Sequence, residues 1–251
     1  MFAVLPITGL PEIVAEDNLA ALLTERLTDA EPGLQLGDIL VVTQKIVSKA
    51  EGRSVDLADM VASPEALVLA KEVNKDPALV ELVLRESSAV VRKGPNVLIT
   101  RHRLGHVMAN AGIDASNIGN GNGGNVLLLP LDPDASAAQI ADAAMARFGF
   151  RPGVVISDSF GRPWRMGTVN VAIGVAGMPA IIDKRGQPDR DGRIMQMTMI
   201  AVGDAVAAAA GLAMGEGDEG IPAVIVRGLR LAAGHQTSRV IIRPVDEDLF
   251  R

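Results

Sequence analysis

Short runs of Val, Ile and Leu recur along the chain and predict strands. Each run is too short for a typical helix, and Pro, Gly or polar residues follow it. A further pair of apolar runs flanks Lys93-Gly94-Pro95-Asn96, which is typical of a turn. The predicted strands are 2–7, 39–43, 89–92, 97–100, 126–129, 154–157, 169–175 and 222–228.

Other segments carry apolar residues at helical spacing. Ser63 and Pro64 suit the cap and first turn of one such helix. The polar residues 44–53, which follow the strand at 39–43, are predicted to form a loop. The predicted helices are 18–28, 66–76, 77–88, 134–148 and the later part of 194–212.

Strands and helices alternate irregularly, without a repeat or a long linker. This order predicts an α+β fold with mixed or antiparallel sheets and flanking helices. Residues 1–251 are predicted to form a single unit, with two entwined subdomains as the alternative. No GxGxxG follows an early strand, which argues against a regular Rossmann sheet, and no GxxxxGK[ST] occurs, which excludes a P-loop.

Composition narrows the class of partner. The chain is 48% hydrophobic and 22% charged, which is typical of a folded globular protein. A net charge of −6 and an aromatic content of 2% argue against general binding to nucleic acid or to anionic membranes. No Cys is present, so thiolate chemistry is excluded. The N-terminus lacks the basic start of a signal peptide, and no apolar stretch is long enough to span a bilayer, so a cytoplasmic location is predicted.

The densest chemistry follows the predicted strand 154–157. Asp158 and Ser159 offer a carboxylate and a hydroxyl, which are ligands for hard cations. Arg162 and Arg165 flank the only Trp of the sequence and suit a phosphate or carboxylate. We expect these groups to share one turn at the end of the strand. The alternative is structural, with Asp158 capping a helix or pairing with one of the two arginines.

Two further acidic segments have the same chemistry but a weaker signal. Asp114 could ligate a cation and Asn117 could bond a base or phosphate, although these residues taken alone favour an Asx turn. Residues 214–221 place three acids among three glycines, and Glu216 is the candidate ligand there. A surface turn between a helix and a strand is the alternative for this loop. Asp114 and Asp158 together could converge on Mg²⁺ or Mn²⁺.

The basic and imidazole groups are less informative. Lys45, Lys49 and Arg53 are spaced four apart, which indicates either a basic rim for phosphates or a solvated helix face. His102 and His106 have a spacing that suits zinc on a helix, but their neighbours predict a loop or strand and no HExxH occurs.

Taken together, these segments resemble the coenzyme F420-0:γ-glutamyl ligase family. The resemblance covers nearly the whole chain in order, and the block around Asp158 is its most specific part. The resembling segments are ITGLPEI (7–13), GDILVVTQKIVSKAEGR (37–53), ANAGIDASNIG (109–119), LLPLDPDASA (128–137), ISDSFGRPWRMGTVNVAIGVAG (156–177) and AMGEGDEGIPAVIVRG (213–228).

The resemblance implies a GTP-dependent ligase. It would join L-glutamate by an amide bond to the terminal carboxylate of F420-0 and then add γ-linked glutamates. It also implies a homodimer, two divalent ions of Mg²⁺ or Mn²⁺, and K⁺ as a further candidate cation. The alternatives are a related ligase for another acidic small molecule, or a non-catalytic module that binds a nucleotide or F420.

The resemblance also assigns residues. The implied metal ligands are Asp114, Asp158, Ser159 and Glu216. Arg162 and Arg165 are assigned to the acceptor beside Asp158 on chemical grounds. The residues implied to line the GTP site are Leu10, Pro11, Glu12, Ile13, Gln44, Lys49, Asn117, Met214, Gly215, Gly217, Asp218, Glu219, Gly220 and Ile221.

Overall fold

The computed structural model describes residues 1–116 and 124–248. Its strands are β1 (Ala3–Pro6), β2 (Ile39–Thr43), β3 (Ser54–Asp56), β4 (Ser87–Gly94), β5 (Val97–His102), β6 (Val107–Ala109), β7 (Asn125–Leu127), β8 (Gly153–Arg162), β9 (Arg165–Ala176), β10 (Ile181–Asp183), β11 (Met199–Ala201) and β12 (Ala223–Arg227). Its α-helices are α1 (Leu19–Thr28), α2 (Gln44–Ala50), α3 (Pro64–Val73), α4 (Pro77–Arg85), α5 (Pro133–Phe148) and α6 (Val202–Met214).

The centre of the molecule is a five-stranded sheet in the order β1-β12-β2-β8-β9. Strands β2 and β8 are parallel, and the other three pairings are antiparallel. The parallel register pairs Thr43 with Ser157, so the carboxyl end of β2 lies beside the middle of β8. The mixed sheets and flanking helices agree with the predicted α+β class.

Both faces of this sheet are covered by helices, because the inner strands are apolar on both sides. Helices α1 and α5 pack on one face in a core that includes Leu23, Leu40 and Ile156. Helix α6 packs on the other face against Val155 and Val224.

A smaller layer is built from β4, β5 and β6, which form a three-stranded antiparallel sheet. Helices α3 and α4 cover it with a core of their own that includes Val80 and Leu98. Helix α3 begins as predicted, with Ser63 accepting a hydrogen bond from the Ala66 N–H and Pro64 in the first turn. Whether residues 1–251 act as one unit or as two entwined subdomains stays a prediction.

Strand β9 is the edge of the central sheet, and acidic side chains satisfy its outward N–H groups. The Ala172 N–H donates to Asp204 at 3.0 Å, and the Val175 N–H donates to Asp134 at 2.8 Å. The Ser238 hydroxyl donates to the Ile173 carbonyl at 2.7 Å. These bonds protect the edge from further strand pairing and tie α5, α6 and the C-terminal segment to it.

Two sequence predictions about the elements are wrong. Residues 44–50 form helix α2 rather than a loop, because Ile46 and Val47 are buried on one face while the lysines lie on the other. Residues 158–162 continue strand β8 rather than forming a turn, because β9 pairs with them up to Arg162. Among the described residues, no helix has the length and hydropathy needed to cross a bilayer.

Candidate active site

A cleft with a volume of about 880 Å³ opens where β2 ends beside β8. Segments that are far apart in the chain contribute to its lining. They include residues 10–13, four residues of 43–49, the pair Asp158 and Ser159, and residues 214–222. The volume lies in the range of about 300–1,000 Å³ that is typical of small-molecule and cofactor sites. The cleft is therefore the leading candidate for the reaction centre.

Asp158 is on β8, and its side chain belongs to the part of the cleft lining that the central sheet contributes. It follows Ser157, the residue paired with Thr43 across the two parallel strands. Burial, followed by the negative charges of Asp114 and Glu216, raises the pKa of Asp158 to about 7. The Ser159 N–H and the Lys45 ammonium lower the pKa of Asp158, but by less than the other effects raise it. Asp158 therefore lies in a region of uncompensated negative charge.

Asp114 is the best-satisfied acid of the site. The Lys45 ammonium lies 2.8 Å from its Oδ2, and the Ser116 N–H and hydroxyl donate to its Oδ1 at 2.7 and 2.8 Å. Burial opposes ionisation of Asp114, but the bonds from Lys45 and Ser116 outweigh it and lower the pKa. The Asx turn considered from the sequence is thus present, and the same carboxylate also carries an ion pair.

Glu216 belongs to a glycine-rich loop that follows α6. Its Oε1 accepts a hydrogen bond at 3.0 Å from the amide of Asn170, a residue of β9 that also lines the cleft. Glu219 folds back and accepts the Gly217 N–H at 2.8 Å. A Cβ at Gly215 would lie 2.0 Å from the Glu219 carboxyl carbon, and the φ of Gly215 is +72°. The tight loop therefore requires glycine at this position.

Lys49 lines the cleft on α2, one helical turn after Lys45. Its Nζ pairs with Glu12 Oε1 at 2.5 Å, which links the N-terminal segment 10–13 to the helix. Two ammonium groups on one face of α2 thus meet the cleft. The third basic residue of the series does not, because Arg53 binds the Leu129 carbonyl and Glu86 instead.

The donor set suits a divalent cation in its chemistry. The carboxylates of Asp158 and Glu216 and the hydroxyl of Ser159 line one cleft, and hard cations prefer such oxygens. Among residues 1–116 and 124–248, however, no three His, Cys, Asp or Glu side chains are arranged to hold a metal ion. Asp114 meets an ammonium group instead, so in this structure Lys45 supplies the positive charge beside it.

Most of the sequence-predicted residues line this cleft. They are Leu10, Pro11, Glu12, Ile13, Lys49, Asp158, Ser159, Met214, Gly215, Glu216, Gly217, Asp218, Glu219, Gly220 and Ile221. Asp114 adjoins the cleft through its ion pair with Lys45, which belongs to the lining.

Three predicted residues lie elsewhere in the structure. Gln44 is 1% exposed and accepts a hydrogen bond from the Ser48 hydroxyl, because its side chain points into the core side of α2. Arg162 and Arg165 are exposed at the tip of the β8–β9 hairpin, outside the cleft lining, because the strands run on past Asp158. Arg162 donates to the Met166 carbonyl at 3.1 Å. The predicted contact of Asn117 falls outside the described residues.

The lining also contains residues outside the predicted site, among them Lys45 and Asn170. The sequence indicates Lys45 only as part of a basic series, although its spacing from Lys49 places both on one face of a helix. Asn170 lies in an apolar run and is paired with Ser159 across the hairpin. A polar residue inside an apolar strand pattern is the signal that could have identified it.

Comparison with known proteins adds an independent finding. The family described as F420-0:gamma-glutamyl ligase matches residues 8–228. A coenzyme F420:L-glutamate ligase from Methanothermobacter thermautotrophicus is 44% identical over 249 residues, covering 98% of this chain and 97% of that protein. Proteins of the same name from Methanopyrus kandleri and Halobacterium salinarum are 45% and 43% identical, covering 94% and 98% of this chain and 92% and 94% of those proteins.

Proposed function

The chain belongs to the F420-0:gamma-glutamyl ligase family, and from that premise we propose that it ligates L-glutamate to the terminal carboxylate of coenzyme F420-0. We propose GTP as the co-substrate and γ-linked extension as a second reaction of the same site. The observation that carries the proposal is the 880 Å³ cleft, in which acidic, basic and glycine-rich segments meet.

The cleft supplies what a triphosphate needs without a P-loop. Lys45 and Lys49 bring two positive charges to one side. The glycine-rich loop 214–221 brings backbone N–H groups and acidic side chains to another side. Residues 10–13 supply the apolar wall for the nucleotide base. A site of this kind works mainly by positioning and electrostatics, which is what phosphoryl transfer requires.

The metal ligands we propose are Asp114, Asp158, Ser159 and Glu216, for Mg²⁺ or Mn²⁺. Bound divalent ions would offset the charge on the transferred phosphoryl group. The raised pKa of Asp158 fits this role, because a carboxylate that lacks a nearby cation in the free protein gains most from one.

The proposed reaction has two steps, a phosphoryl transfer and an amide formation. A carboxylate oxygen of the acceptor attacks the γ-phosphorus of GTP, and the bond from that phosphorus to the bridging oxygen breaks, which releases GDP. The amine nitrogen of L-glutamate then attacks the acyl carbon, and phosphate leaves as the amide forms. The amine proton goes to solvent.

The direct test uses the purified chain with F420-0, GTP, L-glutamate and Mn²⁺, and follows product mass and GDP release together. We expect a mass increase of one glutamate residue and one GDP per amide bond. Omission of F420-0 or of glutamate is the control for each step. A folded protein that forms no glutamylated product would refute the acceptor, and product formation without GDP would refute the co-substrate.

Homodimer formation and a cytoplasmic location stay part of the proposal. Light scattering of the purified chain checks the first, with a mass of about twice 26.2 kDa expected. A monomeric mass at working concentration would contradict it.

A further inference from the structure

We propose that a second, smaller cavity beside the edge strand β9 binds the L-glutamate substrate of this chain. The cavity has a volume of about 260 Å³ and lies between β9, the first turn of α6, the β5–β6 connection and the C-terminal segment. The inference rests on the proposed function for the identity of its ligand, but its residues are separate from the lining of the larger cleft.

The position of the cavity suits the nucleophile of the second step. Phe160 lines it and lies two residues after Asp158 on β8, a distance of about 6.6 Å along a strand. Val171 also lines it and is the direct cross-strand partner of Asp158. The wall of this cavity is thus formed in part by residues that neighbour Asp158 along β8 and across the hairpin.

The charges of the cavity suit a dicarboxylate that carries one ammonium group. Arg101 and Arg243 provide two guanidinium groups, which pair well with carboxylates. Asp204 provides a half-buried carboxylate, whose Oδ1 accepts the Ala172 N–H at 3.0 Å. Asp248 lies 3.8 Å from the Arg101 guanidinium and helps to position it.

These charges also assign partners to the groups of the ligand. Asp204 accepts the N–H of Ala172, the residue after Val171 on the edge strand. The ammonium group of glutamate would face Asp204, and its carboxylates would face the two arginines.

The remaining wall is compact. His106 lines the cavity and packs edge-on against Phe160, with ring centroids 5.7 Å apart. Burial lowers the pKa of His106 to about 4, so its imidazole is neutral near pH 7 and does not compete as a cation with the ammonium group for Asp204. A cavity of this volume accepts an amino acid but not a nucleotide.

The test separates the two steps of the reaction. Arg101→Gln and Arg243→Gln are compared with Arg92→Gln, an exposed arginine on β4 of the same small sheet. We expect the KM for L-glutamate to rise at least tenfold in the first variant and about fivefold in the second. The KM for GTP should change less than twofold in both, and the control should match the parent chain.

Hydroxylamine provides a readout that does not need the cavity. Its nitrogen attacks the acyl phosphate in place of glutamate and releases phosphate, which leaves a hydroxamate. We expect the three arginine variants to form hydroxamate at the rate of the parent chain. Loss of hydroxamate in the first two variants would show that they damage the reaction cleft and would overturn the inference.

Asp204→Asn tests the ammonium contact alone, since an amide oxygen can still accept the Ala172 N–H. We expect the KM for L-glutamate to rise about fivefold, while inhibition by glutarate, which lacks the amine, stays unchanged. An unchanged KM for glutamate in all three cavity variants, in a chain that makes product, would overturn this inference alone. A parent chain that makes neither product nor hydroxamate would instead refute the proposed function.

Discussion

Two partly buried acidic side chains of this molecule, Glu86 and Asp158, have opposite pKa shifts. Glu86 meets Arg53 at 2.7 Å, Arg103 at 3.3 Å and the Nε2 of the buried His102 at 3.5 Å. Burial opposes its ionisation, but His102 and the two arginines outweigh burial and lower the pKa to about 2. At Asp158, burial and the negative charges of Asp114 and Glu216 outweigh the effects of the Ser159 N–H and Lys45, and the pKa rises to about 7.

The opposite pKa shifts distinguish a carboxylate with a structural role from one whose ionised form is favoured only when a cation binds. Glu86 joins α4, β5 and the segment after α2, and its charge is balanced within the chain. Asp158 faces the cleft, where Asp114 and Glu216 add negative charge. A cluster of carboxylates lowers the stability of the fold unless a cation binds it. Carboxylates with a strongly shifted pKa in a cleft are therefore candidates for a functional role.

Asp158→Asn should have the largest effect. We expect ligation to fall on the order of 10²- to 10³-fold, the scale seen when one preorganised electrostatic group is removed from a site. The free energy of unfolding should stay the same or increase, because the substitution removes an uncompensated charge. Product mass and urea unfolding measure the two effects. Activity within fivefold of the parent chain would contradict the role of Asp158.

Glu86→Gln should show the reverse pattern. It leaves two arginines without their partner, and we expect a loss of about 3 kcal/mol in the free energy of unfolding, the lower end for a broken buried pair. Urea unfolding measures the loss. The control is Glu72→Gln, whose ion pair with Lys93 is half exposed and should contribute less than about 1 kcal/mol. Equal losses in the two variants would remove the distinction between these acids.

The pH dependence of stability should differ in sign between the two sites. The folded-state pKa of Glu86 is lowered from 4.5 to about 2, so its contribution is complete above pH 4.5 and is lost as the pH falls toward 2. The folded-state pKa of Asp158 is raised from 3.8 to about 7, so its ionisation costs stability as the pH rises from 4 through 7.

Urea unfolding of the parent chain, Asp158→Asn and Glu86→Gln in EDTA between pH 3 and pH 8 checks both signs. The advantage of Asp158→Asn should grow from pH 4 to pH 7 and then level off. The deficit of Glu86→Gln should shrink below pH 4.5. Curves that run parallel across the whole range would show that neither group titrates as described.

Lys45→Met should have the smallest effect. Without the Lys45 ammonium beside Asp114, we expect Mn²⁺ to bind the nucleotide-free chain several-fold more tightly, since a competing cation is gone. Titration calorimetry with Mn²⁺ alone measures it. Lys49→Met is the matched control, because Lys49 pairs with Glu12 rather than with a proposed metal ligand. Equal or weaker Mn²⁺ binding would show that Lys45 supports the site instead of occupying it.

The sequence predicted most elements of the fold because local patterns were strong. Helix α5 has Asp132 as its cap, Pro133 in its first turn and Gly149 at its end, and each signal acts within a few residues. The paired strands β4 and β5 were found from the turn between them. Helix α2 was missed because two of its polar residues, Gln44 and Ser48, are satisfied by each other in the core. A buried polar pair of this kind produces a sequence pattern that is also typical of a loop.

The sequence by itself determined the family and most sheet-forming segments, because these depend on local residue order. Through the family resemblance it also indicated many residues that the folded chain brings to the cleft. The tertiary structure decided which carboxylate charges are balanced by nearby positive groups and which are not. Residues 45, 114, 158 and 216 are far apart in the chain, and their electrostatic interactions depend on distance and burial, which periodicity does not contain. The same reason applies to the cavity beside β9, whose arginines and acids meet only after the sheets and the C-terminal segment have packed.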